Sequence, residues 1–206
     1  MLEVRELECV RGDHRLFKGL NFTLQQGELL YLRGSNGSGK TSLIRTICGL
    51  MAPADGQVFW KSRDIHTERE EYNRELTYLG HLNGIKGELT AIENLNFANS
   101  LSGIKKSENE ILEALERLGL AGREDLPTKV LSQGQKRRVA LARLLLTDST
   151  LWVLDEPFTA LDVHAVELLS NLIVGHVKSN GMAILTTHQT VEIDSSMMRE
   201  LDLNAI

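Results

Sequence analysis

A glycine-rich segment between an apolar run and a helical pattern constrains the fold of this chain most. Residues 29–32, Leu-Leu-Tyr-Leu, predict a buried strand, and Leu43, Ile44, Ile47 and Leu50 follow the segment at helical spacing. The segment itself has the spacing G-x-x-x-x-G-K-T, in which glycines let the backbone curl so that its N–H groups surround an anion. The sequence therefore predicts a loop that binds the phosphates of a nucleotide. Its residues are Gly34, Ser35, Asn36, Gly37, Ser38, Gly39, Lys40 and Thr41.

The same loop predicts that a nucleoside triphosphate binds together with Mg²⁺. Lys40 can reach the β- and γ-phosphates, and the Thr41 hydroxyl can hold Mg²⁺. The helix that begins at this point adds the positive end of its dipole. The alternative is a glycine-rich turn that fits the pattern by chance, and the strand and helix on its two sides argue against it.

The pattern of strands and helices predicts an α/β fold. Residues 1–33 have strand character, and from residue 131 onwards apolar runs alternate with helical patterns, as in a largely parallel sheet covered by helices. We expect one domain over residues 1–206, with the α/β core and an N-terminal antiparallel β part at 1–81 and 131–206. A helical subdomain is expected at about 82–130.

Local signals support the helical part. Thr90 with Glu93, and Ser107 with Glu110, have the spacing of capping boxes and are followed by apolar residues on one helix face. The highly charged residues 65–74 predict a solvated surface segment.

A pair of carboxylates follows a second buried strand. Residues 151–154 form a continuous apolar run that ends at Asp155 and Glu156. Ligands of open α/β sheets bind beyond the carboxyl ends of the strands, so Asp155 is expected to hold Mg²⁺ and Glu156 to polarise the attacking water. The alternative is that the two carboxylates only end a strand at the surface.

A histidine follows the next apolar strand. His188 comes shortly after the run at 182–185, so it could contact the γ-phosphate and orient the water and Glu156. The alternative is an ordinary histidine at the end of a strand.

Composition limits the class of partner. The net charge of −5 gives no basic surface for nucleic acid, and no apolar run reaches the roughly 20 residues of a membrane span. Cys9 and Cys48 fit no metal or redox spacing, and we expect two reduced, buried thiols.

Further motifs in a fixed order give the chain a resemblance to a known family. Residues 131–135, Leu-Ser-Gln-Gly-Gln, precede the Asp155–Glu156 pair, and residues 159–162, Thr-Ala-Leu-Asp, follow it. In this order the chain resembles the ATP-binding cassette (ABC) ATPases over nearly its whole length. The resemblance implies a P-loop NTPase with a RecA-like core, in which the signature motif binds the γ-phosphate of ATP held by another subunit. The residues that it adds to the site are Ser132, Gln133, Gly134, Gln135 and Asp162.

Three residues depart from the pattern of the family. Gln133 replaces the first glycine of the signature motif. Arg11 stands where an aromatic ring usually stacks on adenine, and a guanidinium plane can also stack on a base. His81 stands where a glutamine usually links Mg²⁺ to the membrane partner, and a neutral imidazole can bind a metal or its water.

The motif count implies two copies of the chain. The sequence holds one phosphate loop and one signature motif. If the two act in trans, a single chain has no complete site. The expected assembly is a homodimer that holds ATP between its subunits.

Additional stretches narrow the resemblance. Residues 78–81 (Tyr-Leu-Gly-His), 84–86, 88–95, 137–144 and 151–162 are similar to the cytochrome c biogenesis ATPases, the haem-export ABC subunits of bacteria. This resemblance implies a peripheral ATPase at the cytoplasmic face of the inner membrane, docked on integral membrane subunits. ATP hydrolysis would support haem transfer, or release of a haem-loaded periplasmic chaperone, without direct haem binding by this chain.

Three rival functions remain. The chain could be the ATPase subunit of another ABC transporter, a soluble ABC ATPase in translation or DNA repair, or a non-catalytic ATP-dependent binding module. The soluble enzymes usually carry two fused cassettes or a long coiled-coil insertion, and neither is in the sequence. The intact Lys40, Asp155, Glu156 and His188 argue against a non-catalytic module.

Overall fold

The structure is a computed structural model that describes residues 1–187 and 198–205. Their contacts divide them into two compact units, each treated by itself below. Unit 1 comprises Met1–Tyr78, Ser149–Glu156 and the described part of Ile173–Ile206, and unit 2 comprises Leu79–Asp148 and Pro157–Leu172. The domain boundaries expected from the sequence stay a prediction.

Nine strands and six α-helices lie in the described residues. The strands are β1 (Leu2–Arg11), β2 (His14–Leu24), β3 (Leu29–Arg33), β4 (Asp55–Trp60), β5 (Arg63–Asp64), β6 (Leu76–Leu79), β7 (Leu151–Asp155), β8 (Met182–Thr186) and β9 (Met198–Asp202). The helices are α1 (Lys40–Ile47), α2 (Arg69–Glu75), α3 (Ala91–Leu101), α4 (Glu108–Arg117), α5 (Gln133–Leu146) and α6 (Val163–Lys178). Short 3-10 helices span Thr128–Val130 and Leu203–Ala205.

Two sheets organise unit 1. Strands β2, β1, β4 and β5 form an antiparallel sheet in that order. The second sheet has the order β6-β7-β8-β3-β9, and its β7–β8, β8–β3 and β3–β9 pairs are parallel. Every residue of β7 and β8 is buried, as their continuous apolar runs predict for central parallel strands.

One hydrophobic core holds the elements of unit 1 together. Helix α1 contributes Leu43, Ile44 and Ile47, which are fully buried among residues of both sheets. Each such side chain gains about 1.5–3 kcal/mol from burial, so the helix that follows the glycine-rich loop is fixed firmly against the strands.

Helices α3, α4 and α5 pack on one another in unit 2. Both predicted capping boxes are confirmed: Thr90 and Glu93 cap α3, and Ser107 and Glu110 cap α4, with reciprocal side-chain-to-backbone bonds. Each cap adds about 0.5–2 kcal/mol to its helix.

Residues 65–74 are mostly exposed, as expected, but two of them reach the core. The segment contains most of α2, and both Ile65 and Tyr72 are buried at 2% exposure. The Tyr72 hydroxyl donates to the carbonyl oxygen of Ile47 at 2.7 Å. One aromatic anchor with a satisfied hydroxyl therefore holds a short charged helix against the core.

Candidate nucleotide-binding site

The glycine-rich loop lies between β3 and α1, as predicted. Gly34, Gly37 and Gly39 all have positive φ angles (147°, 86° and 101°), which a residue with a side chain rarely adopts. Gly39 is the N-cap of α1, and within the described residues no side chain caps this helix or places a carboxylate in its first turn. Its first N–H groups and the positive end of its dipole are therefore available to an anion.

The loop also holds a buried hydroxyl suited to a polar ligand. A Cβ atom on Gly34 would clash with the Ser38 hydroxyl, so this position needs glycine. Ser38 Oγ is buried and has no hydrogen-bond partner in the part of the chain that the structure describes. A buried hydroxyl without a partner is costly, and a phosphate oxygen would satisfy it. The loop thus fits the phosphate chain of a nucleotide.

The lysine of the loop contacts the loop itself. Lys40 Nζ donates to the carbonyl oxygens of Gly34 at 2.6 Å and Ser35 at 3.0 Å. The ammonium group is therefore held over the loop, where phosphate oxygens could replace the two carbonyls as acceptors.

Two oxygen donors meet where β7 ends beside α1. The Thr41 hydroxyl donates to Asp155 Oδ2 at 3.3 Å, and Asp155 is only 4% exposed. A hydroxyl and a carboxylate are hard ligands that suit Mg²⁺, which usually takes its other ligands from substrate phosphates and water. No group of three or more His, Cys, Asp or Glu residues that could hold a metal occurs among residues 1–187 and 198–205. The donor set therefore fits Mg²⁺ brought together with a nucleotide.

Glu156 has an unusual backbone conformation. Its φ angle is 51°, a left-handed conformation that costs a non-glycine residue about 1–2 kcal/mol. Its N–H group lies 2.9 Å from Thr186 Oγ1 and 3.2 Å from the Thr186 carbonyl oxygen, both at the end of β8. These contacts hold the residue in the strained conformation.

One cavity of about 240 Å³ brings most of the predicted unit 1 residues together. It is lined by residues of the glycine-rich loop together with the predicted adenine contact and both carboxylates, including Arg11, Lys40, Thr41, Asp155 and Glu156. The residues proposed for phosphate, metal and water thus border a common space.

Two titratable groups near Asp155, the Cys48 thiol and the Tyr78 hydroxyl, stay neutral near pH 7. Burial raises the pKa of the Cys48 thiol, and the negative charge of Asp155 raises it further. Burial also raises the pKa of the Tyr78 hydroxyl, again with a smaller contribution from Asp155. Cys48 and Tyr78 therefore add no negative charge beside Asp155. Cys9 and Cys48 are free and buried, as expected.

The signature residues lie at the start of α5 in unit 2. Ser132 is the N-cap of this helix: its Oγ accepts from Gln135 N–H at 3.2 Å, and Gln135 Oε1 accepts from Ser132 N–H at 2.9 Å. The Ser132 hydroxyl proton remains available to an external acceptor. Asp162 accepts from Ala165 N–H at 2.9 Å and also pairs with Arg138.

Two histidines that the sequence predicted as site residues are not among the contacts described above. His81 is an exposed loop residue of unit 2, and its metal role stays a prediction. His188 lies outside the described residues.

The structure adds two residues that sequence reasoning missed. Thr186 contacts both carboxylate residues, and Asn204 Oδ1 accepts from the N–H and hydroxyl of Ser35 at 3.1 and 2.9 Å. Thr186 could have been noticed as a polar residue that ends an otherwise apolar strand. No sequence signal pointed to Asn204.

Comparison with known proteins identifies relatives of this chain. Residues 17–159 match the sequence profile of the family described as ABC transporter. The cytochrome c biogenesis ATP-binding export protein CcmA of Dechloromonas aromatica is 56% identical over 203 residues, 98% of this chain and 100% of the relative. The protein of the same name from Nitrosomonas europaea is 52% identical over 204 residues, 99% of this chain and 96% of the relative.

A solved structure has the same fold. It is an ABC transporter ATP-binding protein from Pyrococcus furiosus, with a TM-score of 0.83 and 27% identity over 99% of this chain and 98% of that one. Within the described residues, no helix has the length and hydrophobicity needed to span a membrane. The α/β fold class and the resemblance drawn from the motifs are both confirmed. The chain belongs to the ABC transporter family, as an ATPase domain in the group of the cytochrome c biogenesis ATP-binding export proteins.

Proposed function

We propose that this chain is the ATP-hydrolysing subunit of a membrane export complex that serves cytochrome c biogenesis. The observation that carries the proposal is the 56% identity to the Dechloromonas aromatica export protein over nearly the full length of both chains. The cavity lined by Lys40, Thr41, Asp155 and Glu156 supports ATP hydrolysis as its chemistry.

ATP binding uses the loop at residues 34–41. Its inward N–H groups and the first turn of α1 bind phosphate oxygens, and the buried Ser38 hydroxyl gains a partner. Lys40 Nζ exchanges the carbonyl oxygens of Gly34 and Ser35 for phosphate oxygens. Arg11, at the edge of the same cavity, stacks its guanidinium plane on adenine.

Thr41 Oγ1 and the Asp155 carboxylate would hold Mg²⁺. His81 would be a further contact of the ion or of its bound water. When bound, Mg²⁺ neutralises negative charge on the phosphate oxygens. Asp155 keeps its position because Thr186 donates a hydrogen bond to its second oxygen at 2.8 Å.

Glu156 acts as the general base. Its carboxylate accepts a proton from water while the water oxygen attacks the γ-phosphorus. The bond between the γ-phosphorus and the bridging oxygen breaks, which gives ADP and inorganic phosphate. His188 contacts the γ-phosphate and keeps the water in line.

Two copies of the chain complete two sites. Ser132 and Gly134, with the neighbouring Gln133 and Gln135, supply the γ-phosphate contacts from the second copy, and Asp162 lies at the same interface. The free hydroxyl proton of Ser132 and the N-terminus of α5 suit an anion. Hydrolysis then removes the phosphate that links the two copies, so the dimer opens.

The proposed location is the cytoplasmic face of the bacterial inner membrane. Integral membrane subunits hold the chain there through the region of His81 and residues 82–130. The opening and closing of the dimer supports haem transfer, or release of a haem-loaded periplasmic chaperone, and this chain binds neither haem nor nucleic acid.

The Glu156→Gln variant tests the chemistry. We expect it to bind ATP and dimerise, because the amide keeps the shape of the side chain, but to lose hydrolysis, because an amide accepts no proton. ATPase rates and size-exclusion chromatography with light scattering measure the two properties. Glu167→Gln, on the exposed face of α6, makes the same change of charge away from the site and should behave like the parent. Parental turnover in Glu156→Gln would rule out Glu156 as the base.

Co-purification from native membranes tests the biological role. The chain should be recovered from detergent extracts with integral membrane proteins, and an absorbance spectrum should place any haem in those partners. Recovery with ribosomes or DNA and without membrane proteins would contradict the proposal. The proposal would also be contradicted if, in a deletion strain, the chain restored a different transport process but not the c-type cytochromes.

A further inference from the structure

A single buried hydroxyl joins the two carboxylate residues at the end of β7. In the parallel pair of β7 and β8, Thr186 is the direct neighbour of Asp155, and its side chain is fully buried at 0% exposure. Thr186 Oγ1 lies 2.8 Å from Asp155 Oδ1 and 2.9 Å from the Glu156 nitrogen. These are the residues to which the proposed function gives Mg²⁺ and the attacking water.

The chemistry of the partners fixes the direction of both hydrogen bonds. A backbone N–H group can only donate, so the Thr186 oxygen accepts from Glu156. A carboxylate can only accept, so the Thr186 hydroxyl proton points to Asp155. The side chain therefore has one defined role towards each residue, and its hydroxyl proton cannot rotate freely.

The rest of the strand shows why a hydroxyl at this position is informative. Residues 182–185 of β8 are Met, Ala, Ile and Leu, and every residue of the strand is buried. Valine has nearly the shape of threonine and would suit such a strand better, because burying a hydroxyl costs free energy unless it is hydrogen-bonded. Among residues 1–187 and 198–205, the hydroxyl of Thr186 is satisfied by the two residues of the candidate site.

The backbone of Glu156 needs this support. With φ at 51°, Glu156 leaves the extended conformation of β7, which ends at Asp155. A left-handed conformation of a non-glycine residue persists only where surrounding contacts determine it. The N–H group of Glu156 contacts Thr186 twice, at the hydroxyl and at the carbonyl oxygen.

We propose that Thr186 is a positioning residue for ATP hydrolysis, which fixes the Asp155 carboxylate and the Glu156 peptide group through one hydroxyl. It acts through these residues and not on the nucleotide, because it is fully buried. This inference rests on the proposed function, since it needs Asp155 as a ligand of Mg²⁺ and Glu156 as the base.

Thr186→Val removes the hydroxyl at nearly constant shape. We expect kcat for ATP to fall roughly 10–100-fold and the Mg²⁺ concentration for half-maximal activity to rise, the range found when a supporting contact of a metal site is lost. Binding of ATP in the presence of EDTA should stay at the parental affinity, because the loop at residues 34–41 is untouched. Backbone amide exchange at Glu156 should become faster in the nucleotide-free chain, a readout that needs neither metal nor turnover.

Matched variants separate the hydroxyl from the packing. Thr186→Ser keeps the hydroxyl and should restore most of the activity and the slow amide exchange, whereas Thr186→Ala differs from it only by that hydroxyl and should not. The Ser and Ala pair carries the test if the valine variant fails to fold. Thr46→Val is the control: Thr46 is equally buried, on α1, and its hydroxyl has no partner among the described residues, so kcat should not change.

The outcomes distinguish this inference from the function on which it rests. Parental kcat, Mg²⁺ dependence and amide exchange in Thr186→Val would overturn the inference, and so would equal defects in the Ser and Ala variants. A Glu156→Gln variant without turnover in the same assay shows that the proposed function stands in that case. Parental turnover in Glu156→Gln would overturn both.

Discussion

At Gly134, helix propensity favours alanine, whereas the atoms around the residue leave no space for a side chain. Alanine should be better than glycine in the first turn of α5 by about 0.5–1 kcal/mol. A Cβ atom at this position, however, would lie 2.7 Å from the carbonyl oxygen of Ala160, which is a backbone atom and cannot rotate away. The glycine therefore permits a close approach between the signature motif and the residues that follow Glu156 in the sequence.

We predict that Gly134→Ala destabilises the protein in spite of its higher helix propensity. Overpacking costs about 1–3 kcal/mol, so the net loss should be about 1–2 kcal/mol, or roughly 2–8 °C in Tm. Gly175→Ala is the matched control, because Gly175 lies in α6 with open space around its Cβ position and should gain stability. Calorimetry measures both, and a Gly134→Ala protein as stable as Gly175→Ala would contradict the predicted clash.

Local spacing along the chain was enough to select several residues that the structure brings to one cavity. Gly34, Lys40, Thr41 and the carboxylate pair at residues 155–156 were identified because a phosphate loop and a strand end have fixed sequence patterns. Thr186 was not identified, because its contact with both carboxylate residues depends on which strand lies beside β7 and in which register. Pairing between strands that are distant in sequence is not encoded in any local pattern.

At the scale of elements, α6 packs on β7 through two stacked rings. The His176 imidazole lies parallel to the Trp152 indole, with ring centroids 3.8 Å apart and an angle of 3° between the planes. His176 Nε2 lies 3.2 Å from the carbonyl oxygen of Met182. Burial lowers the pKa of His176 in the folded protein, which backbone hydrogen bonds offset in part.

This histidine predicts a loss of stability in acid. The unfolded chain binds a proton at His176 near the usual pKa of about 6.5, while the folded chain does so only at lower pH. The stability that neutral His176 contributes to the folded protein is therefore present above about pH 6.5. It is lost as the pH falls from there through the pKa of His176 in the folded protein. His176→Phe keeps a flat ring against Trp152, so its urea midpoint should fall less than the parental one between pH 7.5 and 5.5. Equal falls in both proteins would show that His176 is not the group responsible.

Sequence patterns predicted the long elements better than the short or irregular ones. Capping boxes and apolar faces predicted the helices α3 and α4. Helix α2 was missed because seven residues, five of them charged, show too little periodicity to indicate a buried face. Pro53, Asp55 and Gly56 are residue types typical of turns, but Asp55 and Gly56 lie in β4, where Gly56 has a φ of 81°. A Cβ on Gly56 would clash with the backbone of Glu6, so this glycine serves a close approach of β4 to β1.

At the scale of the whole molecule, each chain carries one phosphate loop, in unit 1, and one signature motif, in unit 2. The proposed dimer joins the phosphate loop of each copy to the signature motif of the other. Consider a dimer in which one copy has a defective phosphate loop and the other a defective signature motif. Both defects then lie in the same site, and the second site is built from the two intact motifs.

Mixing two inactive variants tests this arrangement. Lys40→Ala removes the ammonium group that we propose binds phosphate, and Ser132→Arg removes the cap of α5 and blocks the start of that helix. Each variant alone should be inactive, whereas an equal mixture should regain about a quarter of parental activity, since half of the dimers are mixed and each has one intact site. A mixture no more active than its components would contradict sites shared between copies, and a mixture of two Lys40→Ala preparations serves as the control.

Both tryptophans of the chain lie in unit 1. Trp60 is paired with Tyr72 at 5.7 Å, and Trp152 is stacked on His176. Indole fluorescence therefore reports only on this unit, whereas helical circular dichroism also reports on α3, α4 and α5 of unit 2. Melting curves recorded with the two optical signals coincide if the units unfold in one cooperative transition and separate if they do not.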